Sequence, residues 1–140
     1  MRTVGNVLWL LLAGWWLALA YVLAGLVACV LIVTIPFGLQ AFKLATYALW
    51  PFGRVAVPDP DADQALGLLG NVVWLLVCGV GLALAHLVAG LVLCLTIVGI
   101  PLGLGSFKMV PLALAPFGKV IVPADSPAAA GPPYPVVSLG

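Results

Sequence analysis

Charged residues are scarce in this chain of 140 residues, where Asp, Lys and Arg together make up 6% of the sequence. Soluble globular domains carry about 25% charged residues, so this chain lacks the polar surface that such a domain needs. The acids are all aspartates, and the formal net charge is only +1. Such a charge provides no basic surface for a nucleic acid, and we expect no nucleic acid as a partner.

Cysteine and histidine are equally sparse, with three cysteines and one histidine. Cys29, Cys78 and Cys94 lie in apolar runs without CxxC spacing or a neighbouring His or acid, so we interpret them as small hydrophobic residues. The sequence also lacks a Ser/His/Asp set, paired carboxylates in apolar surroundings, an HExxH motif and a phosphate-binding glycine loop. We therefore expect no metal, no cofactor and no enzymatic activity.

Apolar residues are abundant instead, at 65% of the chain. The run Val4–Ile35 has no charge, and in the run Leu68–Ile100 only His86 can titrate. A helix of about 30 residues measures roughly 45 Å, which exceeds the ~30 Å hydrocarbon core. Each run therefore predicts one tilted or bent transmembrane helix, flexing near Gly25 or Gly90.

The chain repeats itself with a constant offset of 65 positions. Gly5–Pro58 aligns on Gly70–Pro123 without a gap, and roughly 32 of 54 positions are identical. Such similarity implies one structural unit used twice. The predicted organisation is a membrane repeat over 1–58, an acidic polar linker over 59–67, a second membrane repeat over 68–123, and a disordered Pro- and Ala-rich tail over 124–140.

Each repeat changes direction after its long helix. We expect Pro36 and Pro101 to end the long helices, because the residue before a proline is pushed out of helical geometry. Gly38 and Gly103 would then allow the chain to turn. The predicted fold is thus an all-α integral membrane protein of two tandem repeats, each a long transmembrane helix, a Pro/Gly turn and a short second helical segment.

The second segments, Leu39–Trp50 and Leu104–Ala115, have too few apolar residues for a straightforward span. A short tilted helix, a re-entrant segment or an interfacial helix would each fit, and Pro111 should weaken a regular helix in the second copy. The residues that follow, 54–57 and 119–122, predict short extended pieces that pair with each other.

Lys43 and Lys108 are matched cations within these second segments. One interpretation is that they bind an anion or a lipid head group, aided by nearby helix N-termini. The favoured interpretation is that both side chains reach the interface and anchor the short segments.

Asn6 and Asn71 precede Trp9 and Trp74 near the starts of the long helices. Asparagine at these positions can cap a helix or hydrogen-bond a neighbouring helix, and tryptophan prefers the membrane interface. We expect a structural role for all four residues.

Other polar and small residues suggest helix packing. His86 is expected to be satisfied against a neighbouring helix, with a proton-responsive role as the alternative. Small residues at four-residue spacing, Gly14/Ala18 and Gly81/Ala85/Ala89, permit close contact between helices, within or between subunits.

The cations decide between two topologies. If each repeat crosses the membrane twice, then Arg2, Arg54 and Lys119 lie on one face, which the positive-inside rule makes cytoplasmic. The repeats are then parallel, and the N-terminus, linker and tail are cytoplasmic. If each repeat crosses once, the repeats are inverted and these cations are divided between two faces. We favour the parallel arrangement.

The elements IP-x-G-x-x-x-FK and AL-x-P-x-G occur once in each repeat, after a long apolar run. In this combination the chain resembles the bacterial YccF-like inner-membrane component domain family, over nearly all of residues 2–123. The matching positions are Ile35, Pro36, Gly38, Phe42, Lys43, Pro51 and Gly53, with Ile100, Pro101, Gly103, Phe107, Lys108, Pro116 and Gly118 in the second repeat. The second repeat departs from the pattern at Ala115, where tryptophan is more usual. The resemblance implies a bacterial inner-membrane location and the two-copy fold, and it implies no particular activity.

The predicted function is that of a multi-pass inner-membrane component, surrounded by the lipid bilayer, which acts by assembly with itself or with another membrane protein. The alternative is a small transporter or channel with a site between the repeats near Lys43 and Lys108.

Overall fold

A computed structural model describes residues 2–129 of the protein. The helices are α1 (Arg2–Trp9), α2 (Trp15–Cys29), α3 (Ile35–Leu49), α4 (Gln64–Trp74), α5 (Val80–Cys94) and α6 (Ile100–Leu114). The strands are β1 (Arg54–Pro58) and β2 (Lys119–Pro123). Shorter helical turns lie at Leu10–Gly14, Ile32–Thr34, Leu75–Gly79 and Pro127–Ala129.

Each repeat begins with one long apolar helix, as predicted. A π-helical turn at Leu10–Gly14 joins α1 to α2, and an equivalent turn at Leu75–Gly79 joins α4 to α5. The resulting helices, Arg2–Cys29 and Gln64–Cys94, have 28 and 31 residues and are long and apolar enough to cross a membrane, as is the segment Ile32–Leu49. These spans confirm the helical membrane class. The irregular turn lies about three to four helical turns before the glycines at which we expected bending.

The second helix of each repeat packs back against the first and forms a hairpin. α2 ends at Cys29, and Pro36 lies in the first turn of α3, where the missing proline N–H has no intrahelical partner to lose. Gly38 lies inside α3, where a Cβ atom would meet Cys29 Sγ and the Gly25 carbonyl. This corrects the prediction for the turn: the proline starts the second helix, and the glycine permits close helix packing.

The second repeat follows the same pattern. Pro101 lies in the first turn of α6, and a Cβ atom on Gly103 would meet Cys94 Sγ and the Gly90 carbonyl. α6 continues through Pro111 and has 15 residues, like α3. The expected weakening of this helix is therefore not seen.

The strands of the two repeats pair antiparallel, which confirms the predicted pairing. Arg54 lies opposite Pro123, Pro58 lies opposite Lys119, and the centre of the ladder pairs Ala56 with Ile121. Ala56 and Ile121 are equivalent positions of the two repeats, so the ribbon has two-fold pseudosymmetry. Both hairpins end at this ribbon, as expected for the parallel arrangement that we favour.

The linker and the start of the tail are more ordered than predicted. Asp63 caps α4 by accepting hydrogen bonds from the Ala65 and Leu66 amides, so the helix starts inside the predicted linker. Residues 124–129 form a turn and a short 3-10 helix whose Ala129 packs near Val55 and Val57 of β1. The rest of the predicted disordered tail, 130–140, lies outside the described residues.

The core lies between the helices, and the outer surface of the helices is apolar. The hairpin turns, at the end opposite the ribbon, are the most exposed: Val33 is 86% and Ile97 is 88% accessible. Side chains of this kind are stable where lipid surrounds them. The bilayer thus accounts for an apolar surface of this extent.

Candidate functional site

A buried asparagine fixes the end of each hairpin. Asn6 Nδ2 donates to the Phe52 carbonyl at 2.9 Å, and the Phe52 amide donates back to Asn6 Oδ1 at 2.9 Å. Asn71 makes the same two bonds with Phe117, at 3.2 and 2.8 Å. Of the two predicted roles, neither capping nor contact with a neighbouring helix describes this: the amide holds the turn after the second helix.

A tryptophan completes each of these clamps. Trp9 Nε1 donates to the Ala48 carbonyl at 2.6 Å, and Trp74 Nε1 donates to the Ala113 carbonyl at 2.7 Å. Each acceptor lies in the last turn of a helix, where carbonyls have no intrahelical partner. Both indoles are at most 1% exposed, so the preference of tryptophan for the interface does not describe them.

The two motif lysines connect the repeats. Lys43 Nζ donates to the carbonyls of Pro116 and Lys119, at 2.9 and 2.8 Å, and Lys108 Nζ donates to the Arg54 carbonyl at 2.9 Å. Each lysine thus crosses from its own hairpin to the turn or strand of the other. Since Arg54 and Lys119 lie at opposite ends of the ribbon, about 13 Å apart along it, the ammonium groups do not converge on one site.

Sequence reasoning missed this exchange of hydrogen bonds between repeats. The signal for it was the joint recurrence, in both repeats, of a lysine in the second helix and a Pro-Phe-Gly turn after it. Lysine has three N–H donors and no acceptor, so backbone carbonyls freed at a turn are suitable partners for it.

The centre of the molecule holds a buried polar cluster. His86 Nε2 lies 2.9 Å from the Tyr21 hydroxyl, and His86 Nδ1 lies 3.3 Å from Ser106 Oγ, which donates to the His86 carbonyl at 2.6 Å. Tyr21 and His86 are equivalent positions, so they meet at the pseudosymmetry axis. No acid takes part in these contacts, and the arrangement fits the expected satisfied polar residue.

A cavity of about 510 Å³ lies where α3 meets the ribbon. It is lined by Lys43 and Thr46 of α3, by Arg54 of β1 and by residues 120–123 of β2. The only ion pair within residues 2–129 joins Arg2 and Asp125, at 3.5 Å and largely exposed.

The small residues of the long helices lie in different environments. Gly14 is buried, and a Cβ atom there would meet the Trp9 ring at 2.7 Å. Gly81 is exposed, with no atom within 4 Å of a Cβ position, and Ala85 lies one turn further along. At the position equivalent to Gly81, repeat 1 has Trp16, which is partly buried against the core.

Between residues 2 and 129, no group of three or more His, Cys, Asp or Glu side chains is placed to hold an ion.

Comparison with known proteins agrees with the two-copy architecture. The family described as YccF, inner membrane component domain, matches residues 4–54 and again residues 69–119. The chain is 35% identical over 138 residues to the inner membrane protein YccF of Escherichia coli (strain K12), covering 93% of each chain. The relative of the same description from Shigella flexneri has the same identity and coverage. No solved structure matches the chain.

Proposed function

Because this chain belongs to the YccF family of inner membrane component domains, we propose that it is a non-enzymatic membrane component that acts by assembly, with itself or with another membrane protein. The observation that carries the proposal is the open position at Gly81 on the outer face of α5. Small residues let helix backbones approach closely in lipid, and in repeat 1 the same position is occupied by Trp16.

A crosslinking experiment tests the assembly. Cys78 lies three residues before Gly81, in the π-helical turn that leads into α5, and is partly exposed. Cys29 and Cys94 can be replaced by serine. If two α5 helices pack at Gly81, mild oxidation in native membranes should link Cys78 of two copies. Gly81→Trp should abolish the link without unfolding the protein, because space is open there. Leu19→Trp, at an exposed position of repeat 1, is the matched control and should leave the link intact.

A second measurement is needed that does not depend on which protein is the partner, because Cys78 crosslinking detects only a second copy of this chain and a different membrane protein can occupy the same face. Sedimentation in detergent gives the mass of the complex that is purified gently from membranes. A monomeric mass, together with a mass that Gly81→Trp does not change, would contradict assembly through α5.

Transport through a site near both motif lysines has less support. Each ammonium group hydrogen-bonds to backbone carbonyls of the other repeat, and the two acceptor regions are about 13 Å apart along the ribbon. The double variant Lys43→Ala, Lys108→Ala should therefore lower stability. Loss of solute flux in liposomes by a variant that is still folded would instead favour transport.

We also propose that the ribbon end faces the cytoplasm, with the N-terminus, linker and tail. Arg2, Arg54 and Lys119 support this orientation through the positive-inside rule. Single cysteines at Asp61 in the linker and Ile97 in a hairpin turn test it with an impermeant maleimide. Labelling of Asp61→Cys from the periplasmic side of intact cells would reverse the orientation.

A further inference from the structure

We propose that the cavity beside Lys43, Thr46 and Arg54 binds the phosphate group of an anionic phospholipid, with the lipid chains lying along α3. The inference is independent of the assembly proposed above, since α3 and the ribbon form the cavity and α5 does not.

The outer face of α3 changes from apolar to polar along its length. Ile35 and Leu39 are 38% and 60% exposed, Lys43 and Thr46 follow at helical spacing, and Trp50 at the end is 36% exposed. Acyl chains match the first part of this stripe, a head group matches the second, and tryptophan is favoured at the interface.

The cations at the cavity have unused hydrogen-bonding capacity. Two of the three N–H donors of Lys43 are engaged by carbonyls. The guanidinium of Arg54 makes no hydrogen bond or ion pair within residues 2–129, although its carbonyl accepts from Lys108 and Tyr47. A planar guanidinium with five donors suits a phosphate group.

No acid within residues 2–129 forms an ion pair with Lys43 or Arg54. Asp125 pairs with Arg2, and Asp63 caps α4. Asp59 accepts a hydrogen bond from the Asp61 amide. A cavity lined by two cations, by no acid and by the apolar residues 120–123 fits an amphiphilic anion.

The second repeat provides an internal contrast. The positions equivalent to Thr46 and Trp50 are Pro111 and Ala115, so α6 has neither the hydroxyl nor the interfacial ring next to Lys108. The position equivalent to Arg54 is Lys119, which lacks the planar fork of donors. We therefore expect the lipid site on the side of repeat 1.

Native mass spectrometry of the full chain in a mild detergent tests the site. Phosphatidylglycerol and phosphatidylcholine with identical acyl chains are titrated separately, and phosphatidylglycerol should be retained about tenfold more strongly, as a charged hydrogen bond implies. Arg54→Gln should lower the retention of phosphatidylglycerol about tenfold. Lys119→Gln, the equivalent change in β2, removes the same charge and should leave retention unchanged.

Inorganic phosphate distinguishes the two sources of a phosphate group. At millimolar concentration it should not displace phosphatidylglycerol; displacement would show a site for a soluble anion and would overturn the lipid proposal. Equal losses in Arg54→Gln and Lys119→Gln would show only diffuse attraction and would also overturn it. If Arg54→Gln lowers the unfolding temperature, Trp50→Ala decides: unchanged phosphatidylglycerol retention in that variant contradicts the proposed placement of the lipid.

Discussion

The two repeats agree where a side chain holds a hairpin closed and differ where it faces lipid or the pseudosymmetry axis. Asn6 and Trp9 recur as Asn71 and Trp74 with the same hydrogen bonds. On the axis, however, Tyr21 faces His86. The copies therefore share one way of closing a hairpin, while their divergent positions are free to serve a different purpose in each copy.

Removing the tryptophan clamps should cause the largest losses of stability, and the losses in the two repeats should be equal. Trp9→Ala and Trp74→Ala each leave a cavity and a helix-end carbonyl without its donor, and each should destabilise the protein by about 3–5 kcal/mol. Thermal unfolding in detergent measures this, with the exposed Trp50→Ala as the control. A large difference between the two variants would break the equivalence of the repeats.

Removing the asparagine clamps should have a smaller effect. Asn6→Ala leaves both the amide and the carbonyl of Phe52 without their side-chain partner, and a loss of about 2 kcal/mol is expected. Asn71→Ala should match it. A protonated aspartate at this position can donate its O–H to the Phe52 carbonyl and accept from the Phe52 amide, whereas an ionised one can only accept and would bury a charge beside that carbonyl. The stability of Asn6→Asp should therefore lie between those of wild type and Asn6→Ala only below the pH at which the carboxyl ionises.

The lysines should reveal an asymmetry between the repeats. Lys43 makes two bonds across the junction and Lys108 makes one, so Lys43→Met should destabilise by about 2 kcal/mol and Lys108→Met by about 1 kcal/mol. The same unfolding assay ranks them. Equal or reversed losses would contradict the hydrogen-bond pattern at the ribbon.

A substitution in the polar cluster at the pseudosymmetry axis should cause the smallest loss of stability. Ser106→Ala makes repeat 2 resemble repeat 1, which has Ala41 at the equivalent position, and removes one buried bond to the His86 carbonyl. Hydrogen bonds between membrane helices average about 0.6 kcal/mol, and a loss of that size is expected. In repeat 1 the position equivalent to His86 is Tyr21. Ala41→Ser therefore gains no imidazole partner and should not stabilise the protein.

Much of the fold follows from composition and repetition. Two uncharged runs require membrane helices, the constant offset of 65 requires equivalent units, and the short segments after Arg54 and Lys119 pair as the sequence suggested. The position of the turn was harder to predict from the sequence. A proline can end one helix or begin the next, and Pro36 does the second because the chain has already turned at residues 30–34.

The junction between the repeats was beyond local reasoning for a different reason. Lys43 and its acceptor Lys119 are 76 positions apart. The recurrence of the lysine and the Pro-Phe-Gly turn shows that both repeats have the groups for the bond, but it does not show that each lysine bonds to the other repeat. Gly38 shows the same limit, because its close contact with Cys29 and the Gly25 carbonyl becomes visible only when the two helices are packed.

The ribbon joins the two repeats in the way that two subunits are joined in a symmetric dimer. A ladder centred on equivalent residues, with lysines exchanged in both directions, is the contact pattern of a two-fold homodimer. Two separate chains of one repeat each have the groups needed to form it. The short connection between β1 and α4 turns that encounter into an intramolecular one, at millimolar effective concentration. In this sense the protein is a covalently linked dimer of its two repeats. The sequence of one repeat can diverge from that of the other while the two remain joined.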